Sequence, residues 1–303
     1  MKKNLKALLG IMLVITVVVT SNSFIYAKNI NMSKSQILAA KQLSERTGRG
    51  LSKNKIMRQQ KEFERITNYK EVLSMNENNP AYPKKFAEYI DKYNEYCDKI
   101  GQSNNKVEPL SDNPTLKEVQ NYPINIGSGG DDTYSGDGNS FSVSALESGE
   151  IVLPDLYGVC IQGLINHAAI YDESRYYDNS SACFLSANND DNQNGLGYSY
   201  VGVGYESPDY YRDAFDQVHC CYVKNHDSDE QSALDKAQAE ANVGEDYSLK
   251  TLKSNTSKWY CSKVVWYGYK HGADVDIDYD GGPFVFPVDI YNDGDIVVWK
   301  TYE

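Results

Sequence analysis

A cysteine and a histidine in this chain have the settings that nucleophilic catalysis requires. Cys261 lies in the first turn of a helix predicted from Trp259 to Lys270. A thiol there sits among unpaired backbone N–H groups at the positive end of the helix dipole, which favours the nucleophilic thiolate. The helix alone leaves an alternative open, because free cysteine is also among the most buried residue types.

The histidine lies in a predicted strand from Asn166 to Asp172. His167, Ala169 and Tyr171 share one face of that strand. The small neighbours leave room for another side chain to approach the imidazole. A thiol with an imidazole is the minimum for a cysteine nucleophile and its base. A hydrolase of this kind requires the sulfur and the ring to meet in a reachable cleft.

Five segments, taken in order, resemble a known family: Gly-Glu-Ile-Val, Asn-His-Ala-Ala-Ile-Tyr, Gly-Glu-Asp-Tyr, Trp-Tyr-Cys-Ser-Lys-Val-Val-Trp-Tyr and Phe-Pro-Val-Asp-Ile-Tyr. Their order is similar to that of the circularly permuted NlpC/P60 (papain-like) hydrolases, and more narrowly to the YiiX/YaeF-like C92 amidase and peptidase group. In ordinary papain-like enzymes the cysteine precedes the histidine, and here His167 precedes Cys261. The resemblance covers residues 143–303. It implies an α+β fold with an antiparallel sheet packed on helices, and a cysteine amidase or peptidase.

The resemblance also implies a third polar residue, often a carboxylate, on the strand after the histidine. Ser186 occupies that place and departs from the pattern, because a hydroxyl accepts a hydrogen bond but brings no charge. Asn188, two residues on and on the same strand face, is the other candidate. An amide suffices in some papain-like enzymes.

Stabilisation of a tetrahedral intermediate requires hydrogen-bond donors near the thiol. The expected donors are the backbone N–H groups of Cys261 or Ser262, with Tyr247 or Tyr260 as a candidate for one further group.

The N-terminal residues 1–27 are predicted to be a signal peptide. Lys2, Lys3 and Lys6 precede an apolar run from Leu8 to Val19, which is too short for a membrane span. The run Ile25-Tyr26-Ala27 supplies a cleavage site, and a retained N-terminal anchor is the alternative. The expected location is therefore secreted, extracellular or associated with the cell wall, with no membrane span in the mature chain.

Composition divides the remaining chain into three parts. Residues 28–101 are predicted to be a helical N-terminal region, which serves as a prosegment, a lid, a binding surface or a simple helical hairpin. Residues 102–142 are rich in Gly, Ser and Asp and are predicted to be a linker. Residues 143–303 form the predicted catalytic domain, with short apolar strands joined by turns.

The net charge is −12, and the acidic balance argues against nucleic acid and anionic membrane surfaces as partners. A peptide or cell-wall substrate is the expected partner. The oligomeric state is left open.

No cofactor or metal is expected. His219, Cys221 and His226 lack the spacing of a zinc site. The runs 276–281 and 190–195 match the first half of a calcium loop, but position twelve is Pro287 or Val201 instead of Glu. Acidic turns are the favoured interpretation, with weak millimolar calcium binding permitted.

Two further features leave alternatives open. The chain has six cysteines, so reserving Cys261 leaves an odd number and no disulfide is assigned. Several tyrosines line a groove for sugars or peptides or pack half-buried, namely Tyr205, Tyr210, Tyr211 and Tyr222.

The leading hypothesis is a secreted hydrolase that cleaves an amide bond through a thioester. One alternative is a thiol acyltransferase or lipase acting on lipid acyl groups. The other is a catalytically weakened papain-like binding module, a possibility motivated by Ser186.

Overall fold

A computed structural model describes residues 50–76, 78–100, 106–120, 138–155, 164–188, 201–249 and 251–303. The predicted signal peptide and the acidic run at 190–195 lie outside the described residues. The same is true of much of the predicted linker. Within the described ranges no helix is both long enough and apolar enough to cross a membrane.

The described helices fall into an N-terminal group of four and a C-terminal group of four. Their bounds are α1 Gly50–Thr67, α2 Tyr69–Ser74, α3 Tyr82–Lys99, α4 Leu116–Gln120, α5 Pro208–Ala214, α6 Glu230–Glu240, α7 Cys261–Gly268 and α8 Pro287–Asn292. A 3₁₀ turn spans Glu173–Arg175, and α7 continues into a π-helical turn at Tyr269–Ala273.

The described strands form one sheet of six, in the order β4-β3-β2-β1-β5-β6, and every neighbouring pair is antiparallel. Their bounds are β1 Ile151–Asp155, β2 Ala169–Tyr171, β3 Phe184–Asn188, β4 Gly202–Glu206, β5 Gln217–Val223 and β6 Ile296–Tyr302. The predicted α+β class with an antiparallel sheet is therefore confirmed.

The register of β3 on β4 gathers polar side chains on one face. Phe184 pairs with Glu206, and Ser186 and Asn188 pair with two glycines of β4. Because side chains alternate along a strand, Ser186, Asn188 and Glu206 project from the same face of the sheet. The two glycines have no side chains, and at Gly202 the backbone of Glu245 takes that space, because an added Cβ would lie 2.1 Å from the Glu245 carbonyl oxygen.

Helix α7 packs closely on α6 because small residues meet at the contact. A Cβ atom added at Gly268 would lie 2.5 Å from the carbonyl oxygen of Ala233 and 3.0 Å from the Cβ of Ala237. Ala233 and Ala237 of α6 therefore lie against the end of α7. The close contact fixes the position of α7.

The N-terminal helices share the hydrophobic core of the sheet. Phe63, Tyr69 and Phe86 belong to the same buried cluster as Leu185 of β3. The Tyr69 and Phe286 rings lie 5.2 Å apart. Residues 50–99 are thus packed on the predicted catalytic part of the chain.

Candidate active site

The cysteine of interest begins a helix. Cys261 is the first residue of α7, and Tyr260 before it has extended backbone angles (φ −141°, ψ 160°). The first hydrogen bond at this end runs from the N–H of Val264 to the Tyr260 carbonyl at 3.2 Å. The N–H groups of residues 261–263 therefore precede the helix's own ladder of bonds, and they create a positive potential around the sulfur.

The histidine lies two residues before β2 and is held by the backbone and by rings. The N–H of His167 donates to the Pro154 carbonyl of β1 at 3.4 Å. Its imidazole stacks on Phe215, with centroids 6.2 Å apart and an interplanar angle of 9°, and the Tyr210 and Tyr211 rings lie 6.3 Å away. These contacts restrict rotation of the imidazole.

Two acceptors face one nitrogen of the ring. His167 Nε2 lies 3.1 and 3.0 Å from the two carboxylate oxygens of Glu206 and 3.1 Å from Ser186 Oγ. The Ser186 hydroxyl donates its proton to the Ala168 carbonyl at 2.8 Å, so it accepts from the ring. Nε2 must therefore carry a proton. Nδ1 is left as the nitrogen available to the thiol.

The Cys261 sulfur acts on His167 both by charge and by hydrogen bonding. Burial by itself lowers the pKa of His167, but the Glu206 carboxylate and Cys261 outweigh burial and raise the pKa to about 10. The imidazole is therefore protonated at neutral pH. It lies between an acid and a thiol, the arrangement of a thiolate–imidazolium pair.

The charge partner of the imidazole is Glu206, which the sequence analysis missed. Glu206 has no exposed surface. Its carboxylate also accepts hydrogen bonds from the Tyr211 hydroxyl and from Asn188 Nδ2, the latter at 3.3 Å. These donors satisfy a buried charge that would otherwise be costly. The acid lies on β4, whereas the resemblance implied a residue on the strand that is β3 in the structure.

Both predicted third residues belong to this network, in different positions. Ser186 bonds directly to the imidazole. Asn188 contacts Glu206 and, at 3.4 Å, the hydroxyl of Tyr210. Asn188 therefore acts on the ring through Glu206. In the sequence Glu206 directly precedes Ser207-Pro208, the cap and first turn of helix α5, which marks the end of β4 and does not indicate the role of the acid.

The side chain of Tyr260, one of the two tyrosines predicted as a further oxyanion donor, and that of Ser262 both hold a neighbouring segment. Ser262 Oγ donates to the Val285 carbonyl at 2.7 Å, and the Tyr260 hydroxyl accepts from the Val285 N–H at 3.2 Å. Tyr247 is half-buried and forms an isolated bridge with Trp259. The backbone N–H groups at the start of α7 are the donors that remain closest to the thiol.

The thiol and the imidazole are assembled but enclosed. His167 is 1% exposed and Cys261 is 4% exposed. The other four described cysteines are 0% exposed, and no disulfide joins any of the five. Cys261 is therefore the one described cysteine with any surface that a reagent can reach.

The second histidine of the sheet is fully engaged. His219 Nε2 lies 3.0 Å from Asp155 Oδ2, and its Nδ1 lies 2.9 Å from Thr301 Oγ1. The Cys221 thiol points to the carbonyl of His219 at 3.8 Å, away from the ring nitrogens. Among the described residues, the single group of three metal-type ligands is Asp278, Asp280 and Asp289.

The tyrosines predicted to line a groove or to pack half-buried are mostly buried. Tyr210, Tyr211 and Tyr222 are at most 4% exposed. Tyr205 is half-buried, and the Arg175 guanidinium lies 3.8 Å from the centre of its ring. The first three side chains therefore line no open groove.

No family model matches this chain, and searches of curated proteins and of solved structures also find no match. The relation to permuted NlpC/P60 proteins therefore stays a proposal that rests on the residues quoted above.

Proposed function

We propose that the chain is a cysteine hydrolase that cleaves an amide bond, with Cys261 as nucleophile, His167 as acid and base, and Glu206 as the charge partner of His167. The observation that carries the proposal is the contact pattern of the imidazole. One nitrogen is held by a buried carboxylate, and the sulfur of a helix's first residue acts on the ring. This is the geometry of an activated thiol.

The chemistry needs no co-reactant besides water. The thiolate attacks the amide carbonyl carbon, and the oxyanion is stabilised by N–H groups at the start of α7. The carbon–nitrogen bond breaks, and His167 gives a proton to the departing amine. Water then attacks the thioester, His167 accepts one of its protons, and the carboxylic acid leaves with the thiolate restored.

The resemblance to permuted NlpC/P60 proteins supplies the proposed substrate class, a cell-wall peptide or another peptide. A secreted location follows from the predicted signal peptide. A thiol acyltransferase or lipase acting on lipid acyl groups uses the same acyl-enzyme, so it remains the related alternative.

Substrate access requires movement at the site. A reacting carbonyl must come within about 3–3.5 Å of the sulfur. At 4% exposure, Cys261 does not admit a peptide without displacement of the surrounding side chains. The proposed enzyme therefore opens before it reacts. The rate of thiol alkylation should consequently level off as the reagent concentration increases.

The enclosure also favours a second candidate, a papain-like module that binds a ligand without turnover. The two functions differ in what loss of the thiol does. In an enzyme, Cys261→Ala and His167→Ala both abolish hydrolysis, whereas a binding module keeps its ligand after either change.

The experiment incubates the full chain with cell-wall peptides and a general peptide mixture, and mass spectrometry follows both the products and an acyl adduct on Cys261. Cys183→Ala is the matched control, because Cys183 is buried and its thiol has no role in the proposed mechanism. Cleavage that Cys183→Ala retains and Cys261→Ala loses supports the enzyme. Labelling of Cys261 by iodoacetamide no faster than the other thiols at neutral pH contradicts it.

A further inference from the structure

Three carboxylates that take no part in the proposed hydrolysis meet beside the N-terminal helices. Asp278 and Asp280 come from the loop before α8, and Asp289 comes from α8 itself. Each offers one oxygen, and these oxygens lie within 4.8 Å of one another. Two ligands on opposite sides of a calcium ion are separated by about 4.8 Å, since each bond is about 2.4 Å long.

One of these carboxylates is incompletely satisfied. Asp278 Oδ1 is buried and has no hydrogen-bond partner, and the side chain has no exposed surface. Its other oxygen forms an ion pair with Lys253. Burial raises the pKa of Asp278 to about 6 against the opposing effect of Lys253, and Asp280 adds to the rise. The cluster therefore contains one buried carboxylate oxygen that accepts no hydrogen bond.

A lysine from the N-terminal helices now neutralises part of this charge. Lys70 Nζ lies 2.7 Å from Asp289 Oδ1 and also pairs with Asp280. With Lys253, two ammonium groups face three carboxyl groups. Lys70 Nζ also lies 3.5 Å from a Glu64 oxygen, so it has another partner if it moves away.

We propose that Asp278, Asp280 and Asp289 form a binding site for a hard divalent cation of calcium's size, for which the Lys70 ammonium competes. A calcium loop normally has a glutamate at position twelve, but this chain has Pro287 there, and Asp289 supplies the carboxylate instead. Asp280 is 31% exposed and provides the path of entry. The proposal goes beyond hydrolysis and is independent of it.

The site is connected to the helix that begins with Cys261. Asp289 Oδ2 accepts the N–H of Phe286 at 2.9 Å, and the preceding residue, Val285, bonds to Tyr260 and Ser262. A cation that displaces the Lys70 ammonium would still bind Asp289, so residues 285–286 would stay in place. The ion pair between Asp289 and Lys70 of α2 would be lost. Cation binding therefore loosens the N-terminal helices at one point.

The test is a calcium titration of the full chain after chelator treatment, followed by isothermal calorimetry and by terbium luminescence. One saturable site is expected, with a dissociation constant of about 10⁻⁴–10⁻³ M. Asp278→Asn and Asp289→Asn should each weaken binding about tenfold or more, because each removes a ligand charge. Asp274→Asn is the matched control. It lies in the same segment outside the cluster, and asparagine tolerates its left-handed backbone (φ 55°).

Lys70→Gln distinguishes competition by the ammonium from a folding defect. It removes the competing ammonium and should tighten calcium binding about tenfold. Partial unfolding cannot produce a gain in affinity. The proposal is overturned if no saturable binding occurs up to about 10 mM calcium, if Asp274→Asn weakens binding as much as Asp278→Asn, or if Lys70→Gln fails to tighten it. Cys261→Ala should bind calcium with the same affinity as the unaltered chain. The calcium proposal and the hydrolase proposal can therefore fail independently of each other.

Discussion

Two buried histidines, His219 in β5 and His167 just before β2, have similar partners and different chemistry. His167 and His219 each place Nε2 about 3 Å from a carboxylate, that of Glu206 and that of Asp155 respectively. The difference lies on the other side of the ring. His219 faces the hydroxyl of Thr301, whereas His167 faces a thiol at a helix start.

A carboxylate–histidine pair therefore does not by itself identify a catalytic site. Thr301 is a strand residue paired with His219 across β5 and β6, so this second trio forms part of the sheet. Cys261 is carried instead by a helix, whose N–H groups favour a thiolate. The neighbour of Nδ1 therefore separates the proposed reactive pair from the structural one.

Replacing one carboxylate at a time should have the largest effect. Glu206→Gln keeps the shape of the side chain but removes the charge that holds His167 as imidazolium. Hydrolysis should then fall about 100-fold or more. The matched change at the other pair, Asp155→Asn, should leave turnover near that of the unaltered chain. Equal losses of hydrolysis in Glu206→Gln and Asp155→Asn would show that the two carboxylate–histidine pairs do not differ in function.

A shift of α7 should displace Cys261, the neighbour of His167, and should leave the partners of His219 in place. Gly268→Ala forces a Cβ to within 2.5 Å of the Ala233 carbonyl, so α7 must shift. We expect the free energy of unfolding to fall by about 1–3 kcal/mol, together with slower alkylation of Cys261.

Gly294→Ala serves as the control for that change, because nothing lies within 4 Å of the added Cβ. Its effect on the free energy of unfolding should stay within about 0.5 kcal/mol. Denaturant titration measures both variants. A neutral Gly268→Ala would show that the close helix contact does not position the thiol.

The His167 contacts should also make stability depend on pH. The pKa of His167 rises from 6.5 to about 10, because Glu206 and Cys261 outweigh the effect of burial. Its stabilising contribution is therefore full below about pH 6.5 and is lost as the pH rises through about 10. Cys261→Ala removes one cause of the shift and should flatten this decline. Unfolding curves from pH 6 to 10 that are parallel for both proteins would contradict the assignment.

The smallest effect is expected from a single hydroxyl. Tyr211→Phe removes one donor to the Glu206 carboxylate and should slow hydrolysis several-fold, equivalent to about 0.5–1.5 kcal/mol. Thr301→Val removes the partner of His219 Nδ1 and should leave the hydrolysis rate unchanged. A larger loss with Thr301→Val than with Tyr211→Phe would reverse the comparison.

The sequence predicted the local elements better than their partners. The strand predicted from Asn166 to Asp172 is present in shorter form at Ala169–Tyr171, so His167 lies just before it, and the helix predicted around the cysteine begins at Cys261. The antiparallel sheet was expected from the family resemblance. The approach of Cys261 to His167 was expected from the family resemblance and not from periodicity.

Glu206 could not be assigned in the same way. Its role depends on the register of β4 against β3, which puts it opposite Phe184, and on the donors that satisfy its charge. Neither is encoded in a short motif. The enclosure of the thiol was also beyond sequence patterns, because it depends on packing from distant parts of the chain.

The most direct test of the thiolate–imidazolium pair is a pH titration of the four histidines by ¹⁵N NMR, with His167→Ala used to assign the signal. The account predicts that His167 stays doubly protonated through neutral pH and loses its proton as the pH passes about 10. A His167 signal that titrates near its ordinary pKa of 6.5 would contradict the account.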